Sequence, residues 1–277
     1  MRKIIGIGET ILDIIFKDEQ PTVAVPGGSV FNGIVSLGRL GMNVSMITET
    51  GNDRVGNTIK HFMQDNGVDN SCVCVYADGR TAISLAYLNE HNDAEYVFYK
   101  DYPKARLDVQ WPEIQKDDII MMGSYFVLNP VLRTKVKEFL DYARSREALI
   151  YYDINFRASH IADIPDTIDN IIENCRLSDV VRGSAEDFGY LYGSTDPQEV
   201  YEKHIRPLCP NFICTDGGRP AWVFTPDQTL QIPVAPIQTV STIGAGDNFN
   251  AGFLYGIVER ELTKTQLHKA SDRKSVV

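Results

Sequence analysis

No run of apolar residues in the 277-residue chain approaches the length of about 20 that a membrane-spanning helix needs. The N-terminus, MRKIIGIGETILDIIF, opens on two basic residues, but Glu9 and Asp13 interrupt its apolar stretch. It therefore reads as a first core strand and not as a secretory leader. A Lys/Arg-rich block is missing too: 27 basic residues stand against 37 acidic ones, a net charge of −10. That balance argues against nucleic acid or an anionic membrane as a partner, although main-chain N–H groups and a metal ion could still receive an anionic nucleotide. The five cysteines, Cys72, Cys74, Cys175, Cys209 and Cys214, form no CxxC and have no histidine at zinc spacing. Their odd number predicts reduced thiols and a cytoplasmic location. No GxGxxG follows the first strand, internal repeats are absent, and no linker interrupts the chain. With 43% hydrophobic residues, the length allows one large domain, or one domain with a small appendage.

What the chain does have is Thr239–Gly256, TVSTIGAGDNFNAGFLYG. Phe249, Phe253, Leu254 and Ile257 recur at helical spacing, so Gly244, Ala245 and Gly246 fall at the first turn of a buried helix. A helix start offers unpaired N–H donors and the positive end of the dipole, and glycine lets phosphate oxygens approach. Asp247 beside it is an acceptor that the dipole keeps ionised, suited to take a proton from a hydroxyl. The plainer reading, a glycine turn with an ordinary aspartate, is weakened by the combination of GAGD, Thr242 and the apolar helix.

Along the rest of the chain, Ile4–Gly8 reads as a central parallel strand. Asp13 then lies among isoleucines, either solvent-facing on an edge strand or a ligand group. Pro26–Ser29 is a turn before a helix carrying Val30, Ile34 and Leu37. Asn32 lies in its first turn, either aimed toward what Gly27 and Gly28 admit or simply a polar helix residue. Val44–Thr48 is a strand and residues 55–63 a helix ended by Gly67. Period-two alternation over Cys72–Tyr76, Ala82–Leu88 and Tyr96–Tyr99, with turns at Asp78-Gly79 and 91–93, predicts an antiparallel hairpin system able to cover a site. From residue 118 an α/β alternation returns, with helices expected at Pro130–Ser145, Pro165–Cys175, Ala185–Tyr192 and Pro197–Leu208. A terminal hairpin (Ala221–Thr225, Thr229–Ile232) precedes the GAGD helix. Asn155 and Arg157, in DINFR past a strand's carboxyl end, sit where open α/β sheets place ligands, and Thr215-Asp216-Gly217-Gly218 is a second such loop. Arg157 is otherwise a surface salt-bridge residue.

Together these residues resemble the ribokinase-like (PfkB) family of carbohydrate and nucleoside kinases over almost the whole chain. STIGAGDNFNAGF resembles that family's DTxGAGDxFxxGF, and GGSVFNGIVSLGRLG at 27–41 its GG-x3-N-x7-LG. The resemblance implies a three-layer αβα sandwich with a mostly parallel central sheet and a small β-sheet lid. It implies one domain over 1–277, with lid strands drawn from about 11–25 and 72–100. It also implies ATP-dependent phosphorylation of a hydroxymethyl group with Mg²⁺. By position, Asp247 is then the base and Gly244, Ala245 and Gly246 the anion hole. Asp13, Gly28 and Asn32 hold sugar hydroxyls, and Asn155 and Arg157 lie near the phosphates. Thr215, Gly217 and Ser184 belong to the nucleotide side. The family's NxxE, which orders metal-bound water, reads Ser184-Ala185-Glu186-Asp187, giving Glu186 and Asp187 as metal contacts through water.

The sequence departs from the family in places. The Asp that often helps hold a monovalent cation is Ser241, which puts potassium in question, and Pro220 replaces a nucleotide-loop glycine. Members usually continue for several tens of residues; here the sequence stops at HKASDRKSVV, so either it is truncated or the adenine wall is incomplete. Ser29 instead of lysine, with GETILD and Ser184, points to a fructose-like ketose. Arg80, Lys100 and Arg106 near the lid keep an acidic sugar such as 2-keto-3-deoxygluconate open. Tyr87, Tyr96, Phe98 and Tyr99, if not core, keep a nucleoside open. A catalytically weak sugar- or nucleotide-binding paralogue is a third reading. The lids of this family often pair, so a homodimer is expected.

Overall fold

In the computed structural model, residues 2–89, 94–238 and 242–268 are described. The expected turn at 91–93, Ser241 and the last nine residues of the chain lie outside them. The chain divides into two compact units.

The first unit holds residues 3–113 and 242–252. Its apolar run β1 (Lys3–Ile7) pairs in parallel with β4 (Asn43–Gly51), Ile5 opposite Ser45. Both are buried almost throughout, as strands covered on two faces must be. β4 also pairs in parallel with β5 (Val68–Asp69) and β6 (Val73–Tyr76). Helix α1 (Ser29–Arg39) buries Val30, Phe31, Ile34 and Leu37, and α2 (Arg54–Asp65) buries Ile59 and Met63. Asp53 caps α2, accepting from the Gly56 N–H at 2.8 Å.

A separate sheet of four strands lies in the same unit, in the order β3 (Gln20–Gly27), β2 (Ile11–Lys17), β7 (Arg80–Leu88), β8 (Ala94–Asp101). β2 and β3 are joined by two residues of positive φ, Asp18 (51°) and Glu19 (59°), a primed turn matched to strand twist. β2 is an interior strand, antiparallel to β3 and parallel to β7. The expected hairpin system is thus corrected at one end. Residues 73–76 join β4 in parallel, because alternation reports a half-buried strand and not its partner.

The second unit holds residues 114–238 and the chain from 253 onward. β9 (Ile119–Gly123), β10 (Leu149–Asp153), β11 (Val180–Ser184) and β12 (Phe212–Asp216) run parallel in that order; β13 (Arg219–Phe224) and β14 (Thr229–Ile232) add an antiparallel edge. The connecting helices are α3 (Arg133–Ser145), α4 (Ile164–Leu177), α5 (Ala185–Tyr192) and the short α6 (Pro197–Val200). The helix expected over 197–208 is instead α6 followed by a single wide π turn at Tyr201–Ile205. Apolar spacing does not separate one wide turn from 3.6-residue winding. α7 (Ala245–Glu259) and α8 (Lys264–His268) complete the chain.

The large strands are mostly parallel and alternate with helices, so the fold is mixed α/β with a smaller second sheet. All five cysteines are unbonded thiols. Among the described residues no helix is long and apolar enough to cross a membrane.

Candidate active site

The first unit assembles one cluster from three elements. Gly244 stands at φ 74°, a left-handed conformation that glycine adopts without strain, and turns the chain into α7. The Asn248 N–H makes the first helical bond, to the Gly244 carbonyl at 2.9 Å. The N–H groups of Ala245, Gly246 and Asp247 therefore belong to the open first turn. That of Ala245 donates to the Thr242 carbonyl at 3.2 Å. The buried stripe of α7 is Asp247, Asn250, Ala251, Leu254 and Ile257. Phe249 and Phe253, expected on that face, are only half-buried, and the Phe253 ring lies 5.5 Å from Tyr151. Asp247 thus faces the protein interior at the positive end of its helix.

α1 meets it there. The Asn32 amide donates from Nδ2 to Asp247 Oδ2 at 2.8 Å, joining residues 215 positions apart. The chain enters α1 through Gly27 and Gly28, each placed by close approach. A Cβ on Gly28 (φ 128°) would stand 2.3 Å from the Glu9 carbonyl oxygen, and one on Gly27 would stand 2.2 Å from Asp13 Oδ2. Gly27 lets the Asp13 carboxylate rest on the main chain, and Gly28 lets the Glu9 carbonyl do so.

Asp13 occupies the middle of β2, between Val25 and Ser84 in register. Ser84 donates its hydroxyl to Asp13 Oδ1. Burial pushes the Asp13 carboxyl above its ordinary pKa, the Ser84 hydrogen bond opposes the rise, and Glu9 adds to it. Ser84 was not singled out in the sequence, and Glu9 only as a charge that interrupts an apolar stretch. The only available signal was Ser84, a hydroxyl inside the apolar alternation of β7.

Two of the three cations held open for an acidic sugar are ion-paired. Lys100 pairs with Glu9 at 2.8 Å, and Tyr102 donates to the same carboxylate. Arg106 is ion-paired with buried Glu49 and lies 3.6 Å over the Tyr102 ring. The Arg80 guanidinium donates to the Gly79 carbonyl at 3.4 Å. In the four-stranded sheet Phe98 is opposite Ser84, so it shares a face with Asp13, as does Tyr96 two residues on. Their rings stack at 5.8 Å. Tyr99 and Val97 are on the opposite face.

In the second unit the remaining candidates gather at the carboxyl ends of β10, β11 and β12. Arg182, buried on β11, donates to Asp153 Oδ1 at 2.9 Å and to Thr215 Oγ1 at 2.5 Å. It was missed because VVRGS reads as an apolar strand with one stray cation. Asn155 is buried at φ 38°, a strained conformation of the kind stored at functional sites. Arg157 is exposed and, among the described residues, has no carboxylate within ion-pair distance. Gly217 (φ 54°) has nothing within 4 Å of where a Cβ would stand, so that loop is open to a ligand.

Ser184 and Asp187 form a reciprocal capping box on α5: the Asp187 N–H donates to Ser184 Oγ at 3.1 Å, and the Ser184 N–H to Asp187 Oδ2 at 2.6 Å. Burial, with nearby Asp153, pushes the Asp187 carboxyl up to about 6. Glu186 beside it is exposed and accepts from the Tyr190 hydroxyl at 2.6 Å. No group of three or more metal-ligating side chains occurs among the described residues. An all-protein metal cage is therefore not present there. A Mg²⁺ ion held mainly by phosphates and water, with one outer carboxylate, fits this donor set.

Comparisons with known proteins give the family and the fold. The model of the "pfkB family carbohydrate kinase" matches residues 1–272. A fructokinase-1 of Oryza sativa subsp. japonica is 26% identical over 269 residues, covering 92% of this chain and 83% of its own. A Vibrio cholerae fructokinase, solved with fructose, ADP and calcium ion, superposes with a TM-score of 0.82 at 22% identity, covering 98% and 88%. The aminoimidazole riboside kinase of Salmonella enterica, complexed with aminoimidazole riboside and an ATP analogue, gives 0.81 at 22%, covering 97% and 89%. These likenesses show the ribokinase-like fold. With the family model matched almost end to end, the chain belongs to the pfkB family of carbohydrate kinases, and is an ATP-dependent sugar kinase.

Proposed function

We propose that the chain phosphorylates a hydroxymethyl group of a small neutral ketose of the fructose type, with Asp247 as general base. The observation that carries this reading is the 2.8 Å bond from Asn32 to Asp247, which ties the base to the Gly27–Gly28 turn on which Asp13 rests. Asp13 and Gly28 hold sugar hydroxyls; an ionised carboxylate accepts from two neighbouring hydroxyls at once. With Nδ2 on Asp247, the Asn32 carbonyl oxygen serves as a further acceptor. A hydroxymethyl oxygen bonds to the γ-phosphorus as the bridge to ADP breaks, and its proton passes to Asp247. The N–H groups of Ala245 and Gly246, with that of Gly244, face the charge that develops on the phosphoryl oxygens.

Asn155, Arg157, Thr215 and Gly217 are assigned to the nucleotide, since strand-end loops and an unpaired guanidinium suit phosphates. Mg²⁺, when bound, neutralises phosphate charge. Glu186, exposed in the first turn of α5, is assigned to order its water, and Asp187 and Ser184 form the cap of that helix. The neutral sugar is favoured over an acidic one because Lys100 and Arg106 are matched by Glu9 and Glu49. The stacked Tyr96 and Phe98 on the Asp13 face favour a second reading, a ribonucleoside whose base lies on those rings.

A panel of ketoses, acidic sugars and ribonucleosides, assayed by coupled ADP release with ATP·Mg²⁺, tests the assignment. Fructose is expected to lead, and Asp247→Asn to lower kcat ~10²-fold or more while nucleotide binding by calorimetry stays near wild type. A turnover in Asp247→Asn equal to wild type removes the base assignment. Binding of ATP without turnover on any substrate would indicate a binding paralogue.

A further inference from the structure

We propose that Ser36 and Asn248 form a clamp that positions the phosphoryl-binding turn, setting the direction of the Ala245 N–H without touching substrate. The proposal rests on the reading of residues 244–247 as that turn. Ser36 lies one helical turn after Asn32 on α1, so both side chains leave the same face. Asn32 holds Asp247, and Ser36 holds the next residue: its Oγ donates to Asn248 Oδ1 at 2.8 Å.

With its oxygen so fixed, the Asn248 amide presents Nδ2 to the Gly244 carbonyl at 3.1 Å. The same carbonyl already accepts the Asn248 N–H at 2.9 Å. Two donors from one residue therefore grip a single carbonyl oxygen. That carbonyl and the Ala245 N–H belong to one planar trans peptide unit and point in opposite directions. Holding the oxygen fixes the N–H. Gly244 needs such a hold because glycine at φ 74° is the residue least restrained by its own sterics. The Ala245 N–H donates to the Thr242 carbonyl at 3.2 Å, a long bond that an anion can share. Neither Ser36 nor Asn248 is in the hydrophobic core, so packing does not account for the pair.

The test uses the full chain with Ser36→Ala, Asn248→Ala, the double variant and Ser36→Thr. It reads kcat and sugar KM on the best substrate of the panel, and amide hydrogen exchange over residues 243–248. One hydrogen bond of ordinary strength corresponds to about a 3- to 10-fold change. Each alanine variant is expected to lose that much in kcat with sugar KM within about twofold, and to exchange faster over that segment alone. The double variant should be no slower than Asn248→Ala, and Ser36→Thr, which keeps the hydroxyl, should restore the rate. Unchanged kcat and exchange in Ser36→Ala, or losses that multiply in the double variant, overturn the clamp. Should the wild type turn over nothing on the panel, the kinase reading fails, and exchange alone decides: faster in Ser36→Ala supports the clamp, unchanged refutes it.

Discussion

Asp13 shows how one residue's surroundings set its usefulness. Only the ionised carboxylate accepts from two sugar hydroxyls, and burial opposes ionisation while the Ser84 hydroxyl favours it. Because the pKa is raised, protonation sets in at a higher pH than the ordinary aspartate value of about 3.9. Sugar KM should therefore rise on acidification sooner than for an unperturbed carboxylate, with ATP KM unaffected by this group. Ser84→Ala removes the opposing bond, so the inflection in sugar KM should move to higher pH; Asp13→Asn should raise sugar KM ~10-fold at neutral pH and flatten the profile. Steady-state kinetics between about pH 5 and 8 check both, and a downward move in Ser84→Ala would exclude the assignment. In the sequence Asp13 stood open between an edge strand and a ligand site. Register decides for an interior strand, and register is a long-range fact that no local pattern holds.

Elements differ in how plainly they are written. The parallel strands announce themselves as short apolar runs, and α5 was legible to the residue because Ser184 and Gly193 mark its two ends. Partner choice was not: β6 alternates like a hairpin strand and pairs with β4 in parallel. Arg182 is the clearest omission. Its charge is meaningless in VVRGS alone and acquires sense only when β10 and β12 bring Asp153 and Thr215 beside it. Both members of the Arg182–Asp153 pair are buried, and breaking such a pair costs about 3–5 kcal/mol because one charge stays in low dielectric. Arg182→Met should accordingly lower the urea midpoint strongly, and adding Asp153→Asn should recover part of the loss by removing the stranded charge. If the double variant is less stable than Arg182→Met, the charge argument is wrong and the network's hydrogen bonds dominate.

At the scale of the molecule, two short motifs some 200 residues apart carried the family resemblance, and the Asn32–Asp247 bond is their physical junction. The sequence could show that both were present but not that they touch. Composition could not show which aromatic residues stay in water either. Period-two alternation places Tyr96 and Phe98 on one face of the small sheet and Val97 and Tyr99 on the other. Tyr99 is 55% exposed and Val97 40%, on a strand at the sheet's edge. Tyr96 (41%) and Phe98 (44%) on the Asp13 face are as exposed, but they lie beside the carboxylate assigned to the sugar. The homodimer expected from the sequence is therefore tested on the Tyr99 face, where a second copy would cover aromatic and β-branched surface. A two-fold interface meets itself, so one substitution strikes it twice. Sedimentation velocity of the wild type should give a dimer at micromolar concentration, and Tyr99→Glu a monomer that still binds ATP. A wild-type monomer up to about 100 μM would be far weaker than an interface of standard size delivers, and would leave that face to water.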